Sequence, residues 1–267
     1  MKLIFVSIAA FLLCSCSAHS ISENEFPSRA VTVGGHEYKF RIYVPVVREP
    51  AKPIPVMLFL HGSGMRGDDN QSQLSGVHNL VANHPERFPF IIVMPQCGID
   101  LYWAGEMMDM AVAALDQTVK EFNGDPDRLY IAGYSMGGFG VWQTAVTYPN
   151  KFAALVPIAG GIKPQGPLAA EQRAMLSPAV RHAADANDPY EAFASAIGNT
   201  PVWVFHGGAD DVVLPEGSRQ IVETLREHGN PNVKYTEFEN VGHGSMEAAL
   251  NDPALHEWLA GKRLSGR

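Results

Sequence analysis

The chain has 267 residues, 46% of them apolar, an ordinary content for a globular core that excludes a disordered chain. Twenty lysines and arginines against 28 acidic residues give a formal charge of −8, and no basic cluster could track phosphates, which argues against nucleic acid as a partner. Of three cysteines only Cys97 lies beyond the first 16 residues, which leaves no intrachain disulfide or cysteine-built metal site for the mature domain.

The first element is a leader. Lys2 precedes the apolar run Leu3 to Leu13, too short to span a bilayer, and small residues follow it, so residues 1–16 read as a signal peptide. Leu13-Cys14-Ser15-Cys16 resembles a bacterial lipobox, which makes Cys16 the candidate for lipidation and membrane attachment. The alternative is ordinary cleavage after Ala18; either way the protein is expected outside the cytoplasm, anchored, periplasmic or secreted. Residues 17–28 are polar and read as a tether, followed by one domain over 29–264.

Within that domain Ala30 to Val33, the Gly34-Gly35 turn and Tyr38 to Val44 predict an antiparallel β-hairpin. The pattern then changes to short, continuous apolar runs: Val56–Leu60, Phe90–Met94, Leu129–Ala132, Ala154–Ile158, Val202–Phe205 and Lys234–Phe238. Strands buried on both faces read this way, because helices cover both sides of a parallel sheet. Between them, Met108, Val112, Leu115, Val119 and Phe122 recur at steps of four and three and mark one helical stripe. The fold class is therefore α/β, a mostly parallel, doubly wound sheet. The connection over 160–200 is longer than a plain crossover needs and is expected to hold a cap-like insertion. Its helical stretches are Leu168–Ala184 and Tyr190–Ile197, the second being the better candidate for the crossover.

The chemistry starts at Gly133-Tyr134-Ser135-Met136-Gly137-Gly138, a G-x-S-x-G between a predicted strand and a predicted helix. Glycines two before and two after the serine allow a strained strand-to-helix turn that pushes the hydroxyl over the sheet edge. A serine hydroxyl at neutral pH needs a base, and the base needs an acceptor that fixes its tautomer. Chain order in such folds is serine, acid, histidine. Downstream of Ser135 the sequence offers Asp210-Asp211 after one strand and His243, flanked by glycines, after the next. His61 and His206 end strands and read as packed structural residues; His182, His228 and His256 fall in predicted helices and read as surface positions. Acyl transfer also needs two N–H donors for the developing oxyanion. The backbone of Met136 and, from the turn His61-Gly62-Ser63-Gly64, that of Ser63 are the candidates. Trp103 is the candidate for lining the substrate pocket, with a core position as the alternative, and Cys97 reads as a buried small hydrophobe.

Five ordered motifs, His61-Gly62-Ser63-Gly64-Met65-Arg66-Gly67, Pro95-Gln96-Cys97 with Trp103, the Ser135 turn, Pro201 to Gly207 with Asp210-Asp211, and Gly242-His243, resemble the predicted-peptidase and esterase branch of the α/β hydrolases. The resemblance runs from about Pro45 to Leu259. It implies one α/β-hydrolase domain, no cofactor or metal, a Ser135–Asp210–His243 triad with the carboxylate four residues after His206, and relatives that cleave feruloyl or acetyl-xylan esters. The expected substrate is a small or carbohydrate-linked carboxylic ester. A serine peptidase using the same triad is the alternative, which the lack of a propeller-like segment disfavours. A non-catalytic surface-binding lipoprotein is the third reading, and the intact serine, acid and histidine argue against it.

Overall fold

The computed structural model describes residues 26–46, 52–163 and 169–264; the leader, Cys16 and most of the tether lie outside them. Strands β1 (Ser28–Val33) and β2 (His36–Tyr43) form the expected hairpin, turning at Gly34 and Gly35, both at positive φ. Then come β3 (Ile54–Leu60), α1 (Val77–Asn83), β4 (Ile91–Pro95), α2 (Glu106–Glu121), β5 (Gly124–Tyr134), α3 (Met136–Thr147) and β6 (Ala154–Ile158). Three short helices follow: α4 (Ala170–Met175), α5 (Pro178–Ala184) and α6 (Pro189–Ile197). The chain continues through β7 (Val202–Gly207), α7 (Glu216–Glu227), β8 (Val233–Phe238), α8 (Met246–Leu250) and α9 (Pro253–Ala260).

The eight strands form one sheet in the order β1-β2-β4-β3-β5-β6-β7-β8. β2 runs antiparallel to its neighbours, and every pairing from β4 to β8 is parallel. Period-2 alternation feeds two cores. Val56, Leu58 and Leu60 of β3 point toward α2, α3 and α5 to α7, while Met57 and Phe59 point toward α1, α8 and α9. This is the α/β-hydrolase fold, and the parallel strands deliver their carboxyl ends, with the loops that carry chemistry, to one edge.

Three elements differ from the sequence expectation. β5 begins at Gly124, five residues early, because that glycine pairs with Ile54 and a side chain there would press on Val56 and Val119. The helix expected over Leu168–Ala184 is two helices: Pro178 disfavours helix at the residue before it, and Ser177 caps α5 by accepting from Val180 N–H. α2 buries a wider arc than its predicted stripe, including Met107, Met110, Ala111 and Ala114, because the hairpin packs on its flank.

The 160–200 insertion is thereby divided. α5 buries Val180 and Ala183, and α6 buries Tyr190, Phe193, Ala194 and Ile197 in the same core as α3. α4 has no fully buried residue, and its Met175 carbonyl lies at Gly105, the start of α2 on the catalytic edge.

Candidate active site

Ser135 stands between β5 and α3 with φ of +54°, a conformation that costs a non-glycine residue energy and persists only where its surroundings impose it. What imposes it is contact with backbone. A Cβ on Gly133 would lie 2.3 Å from the Gly137 carbonyl oxygen, and one on Gly137 would lie 1.9 Å from that of Leu60. The Ser135 amide donates to Ile158 O at 2.9 Å, pinning the turn to β6. Met136 is the first residue of α3, so its N–H has no partner within the helix and points from the positive end of the helix dipole.

His243 follows β8, and its Nε2 lies 2.9 Å from Ser135 Oγ. Its Nδ1 lies 2.8 Å from Asp210 Oδ2, so Nδ1 donates to the carboxylate and Nε2 accepts from the serine hydroxyl. Asp210 is buried, and its Oδ1 accepts the amides of Val212 and Val213 at 3.0 and 2.9 Å. Burial pushes its carboxyl pKa up, but the bonds from His243, Val213 and Val212 outweigh burial and hold it below the ordinary carboxylate value. Asp211, one residue on, is exposed. The loops carrying acid and base touch through their backbones: a Cβ on Gly207 would meet Gly242 O at 2.2 Å, and Ala209 N–H donates to Val241 O.

The turn after β3 lies beside the serine. A Cβ on Gly62 would stand 3.5 Å from Ser135 Cβ, and Ser63 opens a 3-10 turn, so its amide has no partner within that turn. Two motif residues hold this turn. His61, buried, donates from Nδ1 to Gly62 O at 2.7 Å and accepts Cys97 N–H at Nε2; burial lowers its pKa to about 4 and keeps it neutral. Gln96 donates to Met65 O and Asp69 Oδ1 and accepts from Asn70 N–H, which ties residues 65–70 to the end of β4. Cys97 is buried as expected, and burial pushes its thiol up to about 12, far from a nucleophile's range.

Trp103 does not line an open pocket. It is 2% exposed, donates Nε1–H to His61 O and packs edge-on to the His61 ring at 4.9 Å, because the loop after β4 turns it inward under the turn after β3. The exposed aromatic is its neighbour Tyr102, with the Arg66 guanidinium 5.6 Å above its ring. His182 and His228 are at the surface, but His256 is half-buried against Phe88 and Phe90, contrary to the surface position expected of it. Sequence reasoning also missed Tyr134, whose hydroxyl donates to His243 O at 3.0 Å; an aromatic inside the G-x-S-x-G was the available signal. Among the described residues no group of His, Cys, Asp and Glu could hold a metal ion.

Fold and site geometry together define an α/β hydrolase. The family model of the prolyl oligopeptidase family matches residues 98–259, and the chain belongs to that family. It is 29% identical over 130 residues to a bifunctional acetylxylan esterase/xylanase of Neocallimastix patriciarum, covering 45% of this chain and 17% of that protein. It is 25% identical over 219 residues to feruloyl esterase B of Neurospora crassa, covering 74% of this chain and 72% of that protein. Among solved structures it is similar to a thermostable esterase, with a TM-score of 0.72 and 28% identity over 90% of this chain and 64% of that one. The chain spans about a fifth of the length of the first curated relatives it matches, 22% and 17%.

Proposed function

We propose that this protein is a serine hydrolase that cleaves carboxylic esters through an acyl-enzyme. The observation that carries the reading is the continuous relay from Ser135 Oγ through His243 to Asp210, at 2.9 and 2.8 Å, on a strained elbow. As Ser135 Oγ bonds to the ester carbonyl carbon, its proton passes to His243 Nε2 and the carbonyl oxygen becomes an oxyanion. The amides of Met136 and Ser63 receive that oxyanion. Collapse of the intermediate breaks the C–O bond, and His243 returns the proton to the departing alcohol. Water, deprotonated by the same histidine, then releases the acid and restores the serine.

The named relatives act on acetylxylan or are feruloyl esterases, which supports a carbohydrate-linked acetyl or feruloyl ester as the substrate. Tyr102 and Ile99 after β4 and Val212 and Leu214 after β7 are exposed apolar side chains on catalytic-edge loops, fit to receive such a group. The family's name supports a second reading, peptide hydrolysis by the same relay. Turnover of p-nitrophenyl acetate and a feruloyl ester, with a peptide anilide left intact, is the expected result; the reverse preference overturns the ester reading. The leader supports export with lipid on Cys16, and mass spectrometry of the membrane fraction tests it. A soluble mature chain beginning at His19 rules the anchor out.

A further inference from the structure

His206, the penultimate residue of β7, has a side chain that is 0% exposed, and each of its ring nitrogens has a defined partner. Nε2 lies 2.8 Å from Val213 O and 3.3 Å from Asp210 Oδ2. Neither oxygen can donate, a carbonyl by nature and this carboxylate because its pKa is depressed, so the proton sits on Nε2. Nδ1 lies 2.8 Å from the hydroxyl of Ser218 on α7, which also reaches Gly160 O, just past the end of β6, at 3.1 Å. The ring is thus clamped between α7 and the acid loop, its Nε2–H donating to Val213 O while Asp210 Oδ2, the oxygen that His243 uses, lies against it at 3.3 Å. Glu237, its partner across β8, is engaged by Arg219 and Tyr235.

The second contact on Asp210 has a geometric use. The two amides of Val212 and Val213 both bind Oδ1, and bonds to a single oxygen fix a point rather than a plane. His206 acts on both ends of the carboxylate: its Nε2–H holds Val213, which donates to Oδ1, by the carbonyl, and its ring backs Oδ2 at 3.3 Å, which sets the plane in which Oδ2 meets His243 Nδ1. We propose that His206 is a positioning residue for the hydrolytic relay, holding the Asp210 carboxylate in the orientation that keeps His243 aimed at Ser135. The inference rests on the catalytic reading above and adds to it a fourth residue that touches no substrate.

The test measures p-nitrophenyl acetate kinetics and the low-field proton NMR signal of the His243 Nδ1–H in wild type, His206→Leu, His206→Gln, Ser218→Ala and Ser135→Ala. Loss of orientation at a reacting group costs about 10- to 100-fold, so His206→Leu lowers kcat by that factor with KM nearly unchanged. Its His243 signal shifts or broadens. His206→Gln, which carries an amide N–H at similar reach, restores most of kcat and the signal, a rescue that a space-filling role does not predict. Ser218→Ala keeps the donor but frees the ring, and gives a smaller fall in kcat with KM again unchanged. A folded His206→Leu with wild-type kcat and an unmoved His243 signal overturns the proposal. So does a His206→Gln as impaired as His206→Leu. If His206→Leu does not fold, Ser218→Ala decides: an unchanged kcat and signal overturn the proposal. Near-wild-type activity in Ser135→Ala sinks the relay reading itself, whereas a Ser135→Ala impaired by several orders of magnitude beside an unimpaired His206→Leu sinks only this inference.

Discussion

The relay and the insertion leave the same edge of the sheet, yet they are held in opposite ways. Around Ser135, Asp210 and His243 nearly every polar atom has a named partner, and glycines bring backbone within contact of backbone at three crossings. In the insertion, α4 has no fully buried residue and meets the core through partly buried Met175, with an exposed pair between Arg173 and Asp185, while α5 and α6 sink into the core. Chemistry that tolerates little displacement is built on over-determined backbone. Selection of an acyl or alcohol group would need room, which the part with the least burial can offer.

Breaking the rigid side gives the largest effect. Ser135→Ala lowers kcat by about 10⁴- to 10⁶-fold while the circular dichroism spectrum and melting temperature stay near wild type, because the relay acts as a unit. Turnover near wild type in the folded variant refutes the nucleophile. Next, Asp210→Asn costs about 10³- to 10⁴-fold in kcat, since an amide no longer holds His243 in the required tautomer. Asp211→Asn, at an exposed position, leaves kcat within about twofold. A larger loss at 211 would reverse the choice of acid.

The loose side answers differently. Shortening 165–184 is expected to change kcat/KM for bulky esters far more than for acetate esters, but that deletion also removes the buried Leu176, Val180 and Ala183. Confining it to 169–175 isolates α4, and a loss of about tenfold for a feruloyl ester with little change for p-nitrophenyl acetate is the outcome that makes α4 a selector. Equal losses on both substrates make it scaffold, and the apolar side chains Tyr102, Ile99, Val212 and Leu214 become the place to look.

The last test concerns the turn after β3 and is read as stability. His61 has its pKa lowered by burial from 6.5 to about 4, so as pH falls the unfolded chain takes up a proton that the folded one refuses. Its stabilising contribution is full above about pH 6.5 and is lost as pH falls toward 4; between pH 7 and 5 the loss is roughly 2 kcal/mol. His206 and His256, both lowered chiefly by burial, add in the same direction. Urea midpoints at pH 7 and pH 5 measure it, and His61→Gln flattens the difference. A midpoint independent of pH in wild type would show that His61 opens to solvent and the turn is not preformed.

Much of this was legible in the residue order alone. Continuous apolar runs separated by helical stripes mean strands buried on both faces, which led to a doubly wound sheet, and G-x-S-x-G between such elements marked the elbow because only glycine survives that close an approach. The order of serine, acid and histidine is the rule for such folds, and the ends of the predicted strands located the candidates. What the chain order left open is whatever depends on contacts between distant residues. Asp210 rather than Asp211 meets His243 because the acid loop curls back on its own amides at 212 and 213. Trp103 turns inward to His61 while Tyr102 faces out, a choice between neighbours made by an irregular loop that has no period to read. His206 looked like packing, and its side chain meets Asp210, four residues away, only because Ser218 on another element fixes its ring. Periodicity determines which face of a strand or helix is apolar. Only tertiary structure decides which way a loop side chain points and what it touches there.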